Sequence, residues 1–123
     1  MSYPLLELEP AYHGIFKDGV IVSVFSLYIL EANAMGTSPE RIIGIIKDPV
    51  GMAGFTGERT HLAVRFEKSY FPGTPDAGRD ILVYEGQQED DGTIRGTWHN
   101  KYQRNRNGTF NMEPVKRKAE VTA

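Results

Sequence analysis

The residues of this chain with the reach to do chemistry are three histidines and a scatter of carboxylates, and their spacing narrows what that chemistry can be. His13, His61 and His99 stand far apart, none at the i, i+2 or i, i+4 spacing that presents two imidazoles to one metal ion. A metal site would have to be assembled from distant segments, and none is read here. Acid–base work by one histidine, oriented by Asp48, Glu67 or Glu85, is chemically open, although no motif singles out a catalytic residue. Glu89-Asp90-Asp91 lacks the alternate-position ligands and closing glutamate of a calcium loop, and with Gly92 it reads as a turn. Gly51, Gly54 and Gly57 recur every third residue with no helix behind them to complete a phosphate cradle, so they read as bends. The chain has no cysteine, which excludes disulfides, thiolate metal sites and thiol nucleophiles. Nothing in these patterns calls for a cofactor.

More informative is a recurring pair in which a large apolar residue is followed two positions later by glycine. It occurs as Tyr12-His13-Gly14, Ile42-Ile43-Gly44, Phe55-Thr56-Gly57, Tyr84-Glu85-Gly86 and Ile94-Arg95-Gly96. A spacing of two places both residues on one face of a β-strand. Glycine weakens a strand interior, so its repetition signals bending or a close backbone approach, as a sheet needs when it curls shut.

The elements that would carry these residues are almost all strands. Turn signals divide the chain into strands over 11–17, 20–31, 41–47, 52–58, 61–70, 80–88, 93–102 and 108–115. In the fifth, Leu62, Val64 and Phe66 alternate with Ala63, Arg65 and Glu67, the mark of one buried face. Ser38-Pro39-Glu40-Arg41 has the look of a helix start, but the β-branched run Ile42-Ile43 and Ile45-Ile46 favours a strand. Eight strands with short connections give an all-β chain, either a sandwich or an up-and-down barrel. The repeated glycines favour an eight-stranded antiparallel up-and-down β-barrel. At 123 residues it forms one domain, with an N-terminal extension (1–10), a barrel (11–115) and a C-terminal tail (116–123).

The second half resembles the calycin superfamily of barrels, especially its avidin-type and bacterial lipocalin-like members. Ile94-Arg95-Gly96-Thr97-Trp98 and Gly108-Thr109-Phe110-Asn111-Met112 carry the likeness, preceded by Phe66-Glu67-Lys68-Ser69-Tyr70 and Tyr84-Glu85-Gly86. It covers Arg41 to Met112 well and the first two strands loosely. Where a lipocalin opens with Gly-x-Trp, this chain has Tyr12-His13-Gly14, and its one tryptophan is Trp98. No biotin-binding set matches residue by residue. The resemblance implies a small soluble barrel that binds an apolar or amphipathic molecule, and it equally permits a cyclase or isomerase on the same fold.

With the glycine face inward, alternation sends Ile42, Ile46, Leu82, Tyr84, Ile94, Trp98, Phe110 and Met112 into the barrel as the candidate ligand-binding set. Trp98 is expected to pack near Phe110 and Tyr84. Those side chains could line a cavity or simply fill it, and an eight-stranded barrel is compatible with both. The second strand is apolar on both faces. Val20, Val22 and Val24 are assigned inward and Ile21, Phe25, Leu27 and Ile29 outward, the outer set being a candidate homo-oligomer interface. Folding of Tyr3 to Leu8 across it is the alternative. A net charge of −2 argues against nucleic acid or an anionic membrane as partner. Lys101, Arg104 and Arg106 read as a solvated loop and Lys116-Arg117-Lys118 as a solubilising tail. The lack of cysteine and of a leader-like N-terminus favours the cytoplasm.

Overall fold

Apolar side chains at every second position can all be buried only if the sheet carrying them closes on itself or meets a second layer, and here the sheet closes. The computed structural model describes residues 10–33, 39–74 and 80–115. It contains the strands β1 (Ala11–Asp18), β2 (Ile21–Asn33), β3 (Glu40–Lys47), β4 (Met52–Thr60), β5 (Ala63–Tyr70), β6 (Ile81–Gln88), β7 (Ile94–Asn100) and β8 (Asn107–Pro114). Each pairs antiparallel with the next, and β8 returns to β1 to complete a closed up-and-down barrel. Among the described residues no helix is long and apolar enough to cross a membrane. The N-terminal extension as far as residue 9 and the C-terminal tail lie outside the described residues.

The turns obey the sequence chemistry. Gly19, Gly51, Gly73 and Gly92 take positive φ, and Gly19, Gly51 and Gly92 sit in the tight turns after β1, β3 and β6. His61, between β4 and β5, takes φ 55° without being glycine. The ends of the strands agree with the sequence expectation to within three residues, as hydrogen bonding to neighbours trims or extends the apolar runs.

The glycines of the recurring pair do face inward, and two of them show why. A Cβ on Gly14 would lie inside the Phe25 ring, so the missing side chain makes the space that Phe25 fills. A Cβ on Gly96 would fall on the carbonyl oxygen of Glu85 and 2.7 Å from its carbonyl carbon. At Gly96, therefore, β6 and β7 approach more closely than any other residue allows.

The face assignment of β2 is reversed. Phe25 and Leu27 are buried in the core and Ile29 packs against it, whereas Val20, Val22 and Val24 are exposed. Register explains it: Phe25 stands opposite Gly14 and Leu27 opposite Tyr12, both inward positions of β1. Ile21 shares their parity but lies at the turn, past the packed interior, and is exposed. Phe25, Leu27 and Ile29 are therefore no outer interface. A bulge between Ile29 and Glu31 leaves Leu30, already outward by alternation, out of register with β3 and brings Glu31 outward opposite Ile43. The outer strip of β2 is thus Val22, Val24, Tyr28 and Leu30.

Gly96→Ala is expected to lower the unfolding free energy by about 1–3 kcal/mol, the usual cost of forcing atoms into packed space. Gly54→Ala, whose Cβ would come 3.1 Å from the exposed and yielding Phe71 ring, should change it by no more than about 0.5 kcal/mol. Urea denaturation compares the two, and equal effects would contradict the close approach at Gly96.

Candidate functional site

Continuing the buried face of β5 past Val64 and Phe66 places Lys68 and Tyr70 inside the barrel. Lys68 has no exposed surface, and an ammonium in such a place requires a counter-charge. Asp48, the residue just after β3, supplies it. Its Oδ2 accepts a hydrogen bond from Lys68 Nζ at 2.6 Å and another from the Tyr70 hydroxyl at 2.6 Å. Its Oδ1 accepts from the backbone N–H groups of Val50 and Gly51 at 2.8 and 3.2 Å, which shapes the β3–β4 turn. One carboxylate therefore ties a turn to the interior of β5.

Aromatic faces complete the surroundings of the ammonium. Lys68 Nζ lies 4.6 Å from the centroid of the Tyr70 ring, 5.4 Å from that of Phe16 and 5.8 Å from that of Tyr84, within range of cation–π attraction. Burial by itself would raise the Asp48 carboxyl, but the charge and hydrogen bond of Lys68, helped by Tyr70 and Val50, hold it below the usual carboxylate value of 3.8. Burial, and then the charge on Asp48, pushes the Tyr84 phenol far above its ordinary value. Tyr84 therefore keeps its proton at any physiological pH and offers no base.

The opposite end of the barrel is closed by a second charged group. Arg59, at the end of β4, is buried and contacts Glu40 Oε1 through Nε at 3.0 Å. It also donates from Nη1 to Gln88 Oε1 at 2.8 Å. Glu40 opens β3 and Asp48 comes just after its end, so the two ion pairs lie roughly 26 Å apart along the strand. Gln88 Nε2 is buried with no hydrogen-bond partner among the described residues.

All eight sequence-predicted site residues are buried in the core. Tyr84 sits at its centre, stacked on Phe66 (centroids 4.8 Å apart, planes 8° apart) and edge-on to Phe110 at 5.1 Å. Trp98 is buried, and across β6–β7 it stands opposite Tyr84, one of its two expected neighbours. Its ring meets Phe16 edge-on at 6.1 Å, and its indole N–H donates to the Lys17 carbonyl at 2.9 Å. The decisive contact is between Phe25 and Tyr84, 6.2 Å apart. They come from β2 and β6, on opposite sides of the barrel, so their rings meet across the axis and occupy the lumen at that level.

The histidines stand away from this core. His13 and Ser26 Oγ are 3.4 Å apart on the outer surface, and His99 faces Glu85 at 3.9 Å. Asp48 thus serves Lys68 and Tyr70, and no histidine. Among the described residues no cluster of histidines and carboxylates could hold a metal ion. Sequence reasoning missed Lys68, Tyr70, Arg59 and Phe16 as interior groups, while Phe66 lies on the buried face it assigned. Strand parity at Phe66-x-Lys68-x-Tyr70 was the signal that could have found two of them, Lys68 and Tyr70. Comparison with known proteins returned no match: no family model, curated protein or solved structure is significantly similar to this chain.

Asp48→Asn removes the counter-charge of a buried ammonium and is expected to cost about 3–5 kcal/mol at neutral pH. Because the folded-state carboxyl lies below the unfolded value of 3.8, its stabilisation is complete above that value. It is lost as pH falls through the folded-state value. The stability gap between wild type and Asp48→Asn should therefore close on acidification, read from denaturation midpoints at neutral pH and below the ordinary carboxyl range. A gap that stays constant would refute the ion pair.

Proposed function

We propose that this protein is a calycin-like barrel with a filled interior that acts through its outer surface, as an interaction module. The observation that carries this reading is the Phe25–Tyr84 contact across the axis. Phe66, Phe55 and Phe110 pack around it, and an ion pair closes each end, fully buried at Asp48–Lys68 and half-buried at Glu40–Arg59. A small molecule in the lumen would have to displace rings that already satisfy one another. An enzyme of cyclase or isomerase type would need a titratable group within reach of a bound substrate. The interior candidates, Lys68 and Asp48, are engaged with each other and have side chains with no exposed surface.

The outside carries the opposite signal. Val24 and Leu30 are each 66% exposed, and Val22, Tyr28 and Ile43 are exposed beside them. Outward strand positions facing water are ordinarily polar, and an apolar strip on a closed barrel, here interrupted at Ser26, marks a surface used for association. Avidin-type likeness in β7 and β8 fits the barrel form and leaves this assignment of the working surface unchanged.

The interior can be tested with a benzene-sized apolar ligand monitored through Trp98 emission, which should be that of a buried indole. Wild-type protein is expected to show no saturable response. Phe25→Ala, which empties space beside Tyr84, should acquire one, as dry engineered cavities do. A saturable one-to-one response in the wild type would overturn the filled-barrel reading.

A further inference from the structure

Resting on the reading that the outer surface does the work, we infer that the apolar strip on β2 and β3 is the docking face for a second copy of this chain. The two copies would pack sheet on sheet, with their β2 strands antiparallel about a two-fold axis. The strip consists of Val22, Val24, Tyr28 and Leu30 on β2, continued by Ile43 and Ile45 on β3. Tyr28 stands opposite Ile45, so the apolar side chains of the two strands form one surface. These residues are mostly β-branched and stand on adjacent strands, which suits the flat interdigitation of two packed sheets.

Charge selects both the partner and its orientation. At the Val22 end the strip is flanked by Lys17, which stands opposite Val22, with Lys47 nearer the middle opposite Ser26. His13 flanks Ser26 on the other side and is an outer group of the same rim. At the Leu30 end Glu31 stands opposite Ile43, and beyond it Arg41 faces Asn33 on one side and Glu58 on the other. The Val22 end therefore carries Lys17 and Lys47, and the Leu30 end presents Glu31 on β2 itself, with Arg41, Glu58 and Arg65 alternating in sign beyond it. A two-fold axis along β2 would set Lys17 and Lys47 near their own copies and Glu31 near Glu31. A two-fold axis across β2, near Ser26, instead brings each Lys17 toward Glu31 of the other copy. A strip whose Lys17 and Glu31 pair under one two-fold operation has the self-complementarity that an isologous dimer requires.

Sedimentation equilibrium over a wide concentration range tests this on the full chain. The variants are Val24→Glu, Lys17→Glu, Glu31→Lys and the double swap Lys17→Glu with Glu31→Lys. Wild type should dimerise, and Val24→Glu should weaken the dimer roughly a hundredfold by burying an unpaired charge. Circular dichroism and Trp98 emission should stay unchanged, because Val24 points away from the core. Each single charge reversal should weaken it by up to about fivefold and the double swap should restore it. A dimer indifferent to Val24→Glu would place the interface elsewhere, and one indifferent to the charge reversals would overturn the antiparallel arrangement. A wild type that stays monomeric at hundreds of micromolar would overturn the second copy as occupant. Binding of 1-anilinonaphthalene-8-sulfonate then separates the two claims. Dye bound by wild type and lost in Val24→Glu would leave an open strip for a different partner. No dye bound by either would mean that the chain's own N-terminal residues cover the strip, and both claims fail.

Discussion

Closing a sheet at eight strands leaves a lumen about one layer of side chains across, and most of this sequence is an answer to that width. Large rings must meet near the axis, so small residues must stand beside them. Gly14 admits Phe25, and the contact of Phe25 with Tyr84 joins opposite walls. The stacking of Tyr84 on Phe66 and the approach of Phe110 extend the same layer around the barrel. At Gly96 the backbone of β6 occupies the place of a side chain. Aromatic bulk and glycine are therefore two halves of one packing solution.

The ends of such a lumen open toward water, and the chain closes them with charge. Asp48 and Lys68 form one closure, and Glu40 with Arg59 the other. A buried pair of this kind is weak evidence for stability when set against an apolar alternative, because desolvation cancels much of the attraction. Its value is specificity. Asp48 accepts from Lys68, Tyr70, Val50 and Gly51 together, so only one register of β3, its turn and β5 satisfies all four donors.

Strand order and barrel closure are legible in the sequence because alternation and turn chemistry are local. Val64 and Phe66 announce a buried face, and Asp91-Gly92 and Lys17-Asp18-Gly19 announce hairpins. The faces of β2 are not legible, because Val22 and Val24 are as apolar as Phe25 and Leu27. Only the pairing of Phe25 with Gly14, eleven positions back in the chain, decides between them. Strand parity puts Lys68 inside, yet its charge argues against that place unless Asp48, twenty residues earlier, is known to pair with it. Both gaps come from contacts that no local pattern encodes.

The proposed function divides the labour between an interior occupied by its own side chains and an exterior left apolar along β2. Side-chain methyl NMR examines both at once, since Leu82, Ile94 and Met112 report on the interior and Val22, Val24 and Leu30 on the outer strip. Addition of an apolar ligand should leave the interior methyls unmoved, while dilution of the protein alone should shift the outer ones. Interior methyls that shift saturably with ligand while the outer valines ignore concentration would contradict the division, and would make the barrel a container.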